Sequence, residues 1–235
     1  MEIIEPWIQI EPFDGIDIMK KIERACRTCY RSEGNITEDS YKNLLKNCIN
    51  RGHESVLEHE KITIRMCCDV GVYKDLTRHR AGTAFSIEST RYCNYSKDKF
   101  TNNIKFIKPT YYVDSWKDRN YEGSAMSTEE LKSFFWYKIM NDIEIAYMNM
   151  ADLCKCTPDE MRMILPHSTA AEVTMTCNIR EWKHVLELRC SKMVHPSVKQ
   201  LMIPLLLKFK EEMPEIFEKV PYDEDFPKEL YAKIQ

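Results

Sequence analysis

The sequence predicts an α+β fold in one domain spanning residues 1–235, with a central sheet, expected to be antiparallel, flanked by long helices. Three observations lead there. Segments with helical apolar spacing interleave with short alternating runs. The chain has six glycines and no repeat, low-complexity tract or linker that would mark a boundary. At 235 residues, 43% of them hydrophobic, it is long enough to bury a substantial core.

Each element follows from local pattern. "GIDIMKKIERACRTCYRS" places apolar residues at 16, 18, 19, 22, 25 and 26 and reads as a helix. "DSYKNLLKNCINRG" reads as a second helix, stopped by Gly52. In "EKITIRMCCD", Ile62, Ile64 and Met66 alternate with Thr63, Arg65 and Cys67, the mark of a half-buried strand. "VGVYKDLTRHR" reads as a short helix and the stretch behind it as a loop. "NIKFIKPTYYV" is strand-like. Ser127 and Glu130 form a capping box ahead of an amphipathic helix reaching about residue 152, and Thr157, Pro158 and Glu160 form another. "AAEVTMTC" reads as a strand. "NIREWKHVLELRC" reads as a helix capped by Asn178, with Glu181 three residues on. A last helix starts near 197, with Pro204 expected to bend it.

Composition narrows the function classes. A net charge of -3 argues against a general nucleic-acid binder, so any anion site is local. The N-terminus "MEIIEPWIQIEPFDG" lacks a basic region followed by an apolar run, and "LMIPLLL" is too short to span a bilayer. A cytoplasmic protein without a membrane partner is expected. Ten cysteines include Cys26 and Cys29 as a CxxC, but a second ligand pair at zinc spacing is missing, so reduced thiols and no metal are expected.

The densest polar stretch is "TRHRAGTAFSIESTRYCNYS", residues 77–96, with three arginines and a histidine. A lone Arg-His-Arg at a helix end is ordinarily a solvated turn whose cations favour the helix dipole. Here Arg91 follows Ser89 and Thr90, and arginines beside hydroxyl and backbone donors suit a phosphate. Two further clusters fit the same need. "GHESVLEH" gathers His53, Glu54, Ser55 and His59 in a turn. "NIREWKHVLELR" sets Asn178 and Arg189 three helical turns apart on one face and makes Arg180 and His184 an i, i+4 pair.

With "MRMILPHS", these motifs make the chain resemble a flavin-dependent thymidylate synthase. The signature of that family is Arg-His-Arg, seven residues and a serine, followed shortly by Arg-Tyr; a Gly-His-Glu segment precedes it, and Arg with Leu-Pro and then Asn-x-Arg follow. All four motifs stand here in that order over about residues 20 to 210. One departure is plain: eight residues separate Arg80 from Ser89, so the loop 81–86 is one residue longer, and Glu88 stands next to the serine instead of two before it. His184 stands where relatives often have asparagine.

The resemblance implies an enzyme that carries the methylene of 5,10-methylenetetrahydrofolate to C5 of dUMP, with FAD as cofactor and NADPH as reductant, giving dTMP. It assigns Arg78, His79 and Arg80 to the flavin, with Ser55, Glu88, Asn178, Arg180 and His184. It assigns Asp75, Leu76, Thr77, Arg78, Glu88, Ser89, Thr90, Arg91, Arg162 and Arg189 to the nucleotide. Arg189, on the uracil edge, and His53, on the flavin and folate side, are the catalytic assignments. It further implies a homotetramer with shared active sites. Ser89 has no nearby base, so it binds and does not attack. Two alternatives stand beside this: a related flavin-dependent methylase of another pyrimidine nucleotide, and a non-catalytic nucleotide- or zinc-binding protein.

Overall fold

The computed structural model describes residues 1–118 and 125–235. In chain order the strands and helices are β1 (Glu2–Ile4), β2 (Trp7–Ile10), α1 (Gly15–Thr28), α2 (Ser40–Asn50), β3 (Lys61–Asp69), α3 (Val70–Leu76), β4 (Thr83–Ile87), β5 (Lys105–Ile107), α4 (Thr128–Asp152), α5 (Pro158–Met161), β6 (Ala170–Asn178), α6 (Ile179–Arg189), α7 (Pro196–Glu212), α8 (Pro214–Phe217) and β7 (Lys233–Ile234). Their residues divide into two compact units. The first holds Met1–Pro6, Cys67–Tyr73 and Ile87–Glu172, and the second holds Trp7–Met66, Lys74–Ser86 and Val173–Gln235.

The first unit is built around α4. Its capping box forms as the sequence predicts: Ser127 Oγ accepts from the Glu130 amide and the Glu130 carboxylate accepts from the Ser127 amide. Trp136 and Met140 on this helix pack with Tyr95, Ile104, Phe106, Tyr112, Tyr147 and Met161 into one core. The Trp136 indole donates to Ser168 Oγ at 3.0 Å, so its polar edge is satisfied on burial. Strands β1 and β5 pair in parallel, Glu2 opposite Lys105.

A five-stranded sheet, most of its residues in the second unit, runs in the order β4-β6-β3-β2-β7. Helix α6 buries Trp182, Val185 and Leu186. Trp182 donates to the Ile62 carbonyl at 3.0 Å and meets Phe209 of α7 edge-on at 5.7 Å. Gly15 opens α1 hard against the end of α7, where an added Cβ would lie 2.3 Å from the Glu212 carbonyl. Only glycine fits there.

Two expectations are corrected. The five-stranded sheet is mixed, not antiparallel, with β2 running parallel to β7, and the two-stranded sheet pairs β1 with β5 in parallel. Parallel pairs need long crossovers, and here the pairing partners lie about a hundred or more residues apart in sequence, a range that alternation does not encode. The stretch behind α3 is also not all loop. Its "TAFSI" forms β4 at the sheet's edge, with burial alternating residue by residue. α7 carries Pro204 inside its span, as read from the sequence. No helix among the described residues is long and apolar enough to cross a membrane.

Candidate active site

The second unit gathers five of the predicted residues, His79, Asn178, Arg180, His184 and Arg189, from the segment behind α3, the cap of α6 and α6 itself. Asn178 caps α6 by accepting from the Glu181 amide at 2.8 Å. That cap sets the first turn of α6 and turns the Glu181 carboxylate toward His79, whose Nδ1 lies 3.2 Å from Glu181 Oε1. From the last residue of the helix, Arg189 Nε donates to His79 Nε2 at 3.0 Å and Nη2 donates to the Asp75 carbonyl at 2.7 Å. The guanidinium has no lone pair to offer, so His79 Nε2 is an acceptor and Nδ1 carries the proton. The imidazole is therefore a neutral bridge between a cation and a carboxylate.

Burial explains the protonation. His79 is 6% exposed and Glu181 8%. Burial, then the neighbouring Arg189 and His184 charges, holds His79 down to about 4. Burial also pushes Glu181 above the usual carboxylate range, against the pull of His184 and Arg180. The His184 ring stands edge-on to His79 at 5.7 Å. Ligating atoms of His79, Glu181 and His184 all lie within 4.8 Å of one another.

Beside this network lies a cleft of about 450 Å³, lined by Ala81, Gly82, Asn178, Arg180, Glu181, Lys183 and His184 together with Glu54, Glu58 and Glu187. Arg180 pairs with Glu58 at 2.5 Å, not with His184. Lys183 bridges Glu54 at 3.0 Å and Glu187 at 2.8 Å. Gly82 has φ +63°, and a Cβ there would lie 2.1 Å from Asn178 Nδ2. Glycine supplies both the left-handed turn and the close approach.

Of the predicted residues, the first unit holds Glu88, Ser89, Thr90, Arg91 and Arg162. Asp159 Oδ1 holds Arg91 Nε at 3.2 Å and Arg162 Nε at 3.1 Å, all three about half exposed. The two arginines, 71 residues apart in sequence (91 to 162), thus meet on one carboxylate. Glu88 is tied by Tyr95, whose hydroxyl donates at 2.9 Å, and by the Glu172 amide at 3.2 Å.

A family model described as thymidylate synthase complementing protein matches residues 16–215. The chain belongs to this family. It is 25% identical over 197 residues to the flavin-dependent thymidylate synthase of Halobacterium salinarum, covering 79% of this chain and 77% of that one. It is 27% identical over 197 residues to the flavin-dependent thymidylate synthase of Thermosipho africanus, covering 83% and 82%. Its fold is similar to that of the UMP/dUMP methylase PolB from Streptomyces cacaoi, solved with 5-Br dUMP, at a TM-score of 0.70 and 19% identity, covering 93% of this chain and 96% of PolB.

Within the family frame, the predicted site residues have distinct surroundings. Arg78, Arg80, His53 and Ser55 are exposed. Leu76 is fully buried, Asp75 contributes its carbonyl to Arg189, and the Thr77 hydroxyl donates to the Lys74 carbonyl. Ser89 and Thr90 are half-buried. Glu181 and Asp159 are the residues that sequence reasoning passed over. Each sat inside a recognised capping pattern, and only the folded chain shows that its side chain also reaches a site cation or its bridge.

The thiols stay outside this chemistry. All ten are free, and burial pushes Cys67, Cys177 and Cys190 up to about 12, far from the thiolate form a nucleophile needs.

Proposed function

We propose that this chain is a flavin-dependent thymidylate synthase that methylates dUMP at C5 to give dTMP. It draws the carbon from 5,10-methylenetetrahydrofolate and the electrons from NADPH through FAD. The observation that carries the residue-level reading is the fixed guanidinium of Arg189. Two of its nitrogens are engaged by His79 and the Asp75 carbonyl, and among the described residues Nη1 has no partner. A cation so held is preorganised to accept charge developing on a uracil ring, which raises the nucleophilicity of C5.

The donor set of the cleft fits a flavin nucleotide. Arg180, on exchanging its pairing with Glu58, and Lys183, on exchanging its pairing with Glu54 and Glu187, offer charge for phosphate, His184 offers a ring face and a donor, and Ala81–Gly82 keep the wall free of bulk. Arg78 and Arg80 extend that charge. When bound, the flavin supplies the hydride that completes the methyl group. Arg91 and Arg162, with Ser89 and Thr90, bind the nucleotide phosphate. Arg189 orients the pyrimidine, and no protein nucleophile is needed.

The homotetramer belongs to this reading. Leu131, Phe135 and Ile139 are 40%, 56% and 54% exposed at four-residue spacing on α4. Such an apolar face supports burial against a second copy. A cytoplasmic location fits the same account.

A second reading, methylation of another pyrimidine nucleotide, is favoured by the longer segment 81–88, which forms β4 next to the site residues. One assay separates the two. Purified protein supplied with FAD, methylenetetrahydrofolate and NADPH is offered dUMP, UMP and dCMP in parallel. The proposal expects a yellow protein and dTMP from dUMP above the other products. Absence of flavin uptake and of any methylated product would overturn it.

A further inference from the structure

We propose that Glu181 is a positioning residue for the methylation: its carboxylate fixes the tautomer of His79, and His79 in turn fixes the guanidinium of Arg189. This rests on the reading of Arg189 as the uracil-binding cation. The chain of contacts is continuous within the second unit: Glu181 Oε1 to His79 Nδ1 at 3.2 Å, then His79 Nε2 to Arg189 Nε at 3.0 Å.

Each link constrains the next. A neutral imidazole has one donor and one acceptor nitrogen, and either tautomer is accessible in water. Arg189 Nε needs an acceptor, so the pairing survives only when the proton sits on Nδ1. A carboxylate facing Nδ1 accepts that proton's hydrogen bond and rejects the other tautomer, which would set two lone pairs against each other. The second anchor of Arg189, the Asp75 carbonyl at 2.7 Å, fixes one edge of the fork, and His79 fixes its rotation. The titratable groups around Glu181 are His79, His184, Arg180 and Cys177, with Arg189 on the far side of His79. Its carboxylate stands two hydrogen bonds from the Arg189 guanidinium, with Glu181 and His79 both buried.

The close grouping of His79, Glu181 and His184 also has the composition of a cation site. The hydrogen bonding argues otherwise. A guanidinium on Nε2 commits the imidazole proton to Nδ1, the nitrogen a metal would need, and the guanidinium charge opposes a second cation. Glu181, His79 and Arg189 therefore act as a relay of hydrogen bonds, with His184 beside it.

The test uses full-length protein loaded with FAD. Glu181→Ala is expected to lower kcat for dUMP methylation, counted per bound flavin, roughly tenfold to 100-fold, the scale of a misplaced reactive group. Glu181→Gln, whose amide oxygen still accepts from Nδ1, is expected to recover most of the turnover. The ¹⁵N resonances of His79 give a readout that bulk packing would not move: a single Nδ1–H tautomer in the parent protein and in Glu181→Gln, and a mixture in Glu181→Ala. The proposal is overturned if His79 is the Nε2–H tautomer in the parent, or if Glu181→Ala turns over within twofold of it. It is also overturned if zinc added alone binds stoichiometrically and the Glu181→Ala substitution abolishes that binding. If the parent makes no methylated nucleotide, the functional reading fails, and the tautomer measurement still decides whether the relay exists.

Discussion

Acidification should destabilise this protein through one buried imidazole. His79 is held down to about 4 by burial and by Arg189, whereas an unfolded histidine titrates near 6.5. Between those values the unfolded chain binds a proton that the native state refuses, so native stability falls as pH drops through this window and is intact above about 6.5. Linkage of these two values from pH 7 to pH 4.5 removes about 2 kcal/mol of stability through this group. Glu181 works in the opposite sense. Its raised value means that the native state takes a proton more readily than the unfolded chain, which offsets part of the loss at the acid end. A comparison isolates the histidine. His79→Asn keeps a donor facing Glu181 but does not titrate. Urea midpoints followed by tryptophan fluorescence at pH 7 and pH 4.5 should show the parent losing about 2 kcal/mol more than His79→Asn. Equal losses in the two proteins would refute the placement of His79 as a buried, neutral bridge.

Other outcomes follow from the same geometry. Arg162→Ala and Arg91→Ala should each raise the KM for dUMP about tenfold or more, the scale of one lost charge-assisted bond, while kcat at saturation changes less; steady-state kinetics checks this. Ser89→Ala should weaken dUMP binding yet leave measurable turnover. Gly82→Ala, with its Cβ pressed on Asn178 at positive φ, should cost roughly 1–3 kcal/mol in urea unfolding. No single Cys→Ser change should abolish dTMP formation in a folded, flavin-loaded protein, since the buried thiols are held protonated.

Much of the architecture was legible because it is local. Capping boxes at Ser127 and Thr157, the Asn178 cap and the glycine stop at residue 52 are read from a few adjacent residues, and all of them form. Strand direction was not legible, since β2 meets β7 across nearly the whole chain and alternation is the same in either sense. The short strands at the N-terminus were missed, as "EII" and "WIQI" are too brief to carry a period. At the site, motif order pointed to the right residue types, but partnership required the fold. Arg180 was read with His184, its helical neighbour, and instead pairs with Glu58 from a distant segment. Asp159 and Glu181 were hidden because a capping role already accounted for the pattern around them.

The central claim is that Arg189 acts on the nucleotide and not on the flavin, and one measurement separates the two. In Arg189→Ala, flavin reduction by NADPH is followed by stopped-flow absorbance, and dTMP formation from dUMP is followed by chromatography on the same preparation. The account predicts near-normal flavin reduction with a loss of dTMP formation on the order of 100-fold or more, the effect of removing one preorganised donor. Lysine in its place should restore little, lacking the planar fork that meets a pyrimidine edge and His79 together. Turnover of Arg189→Ala close to that of the parent protein would contradict the account.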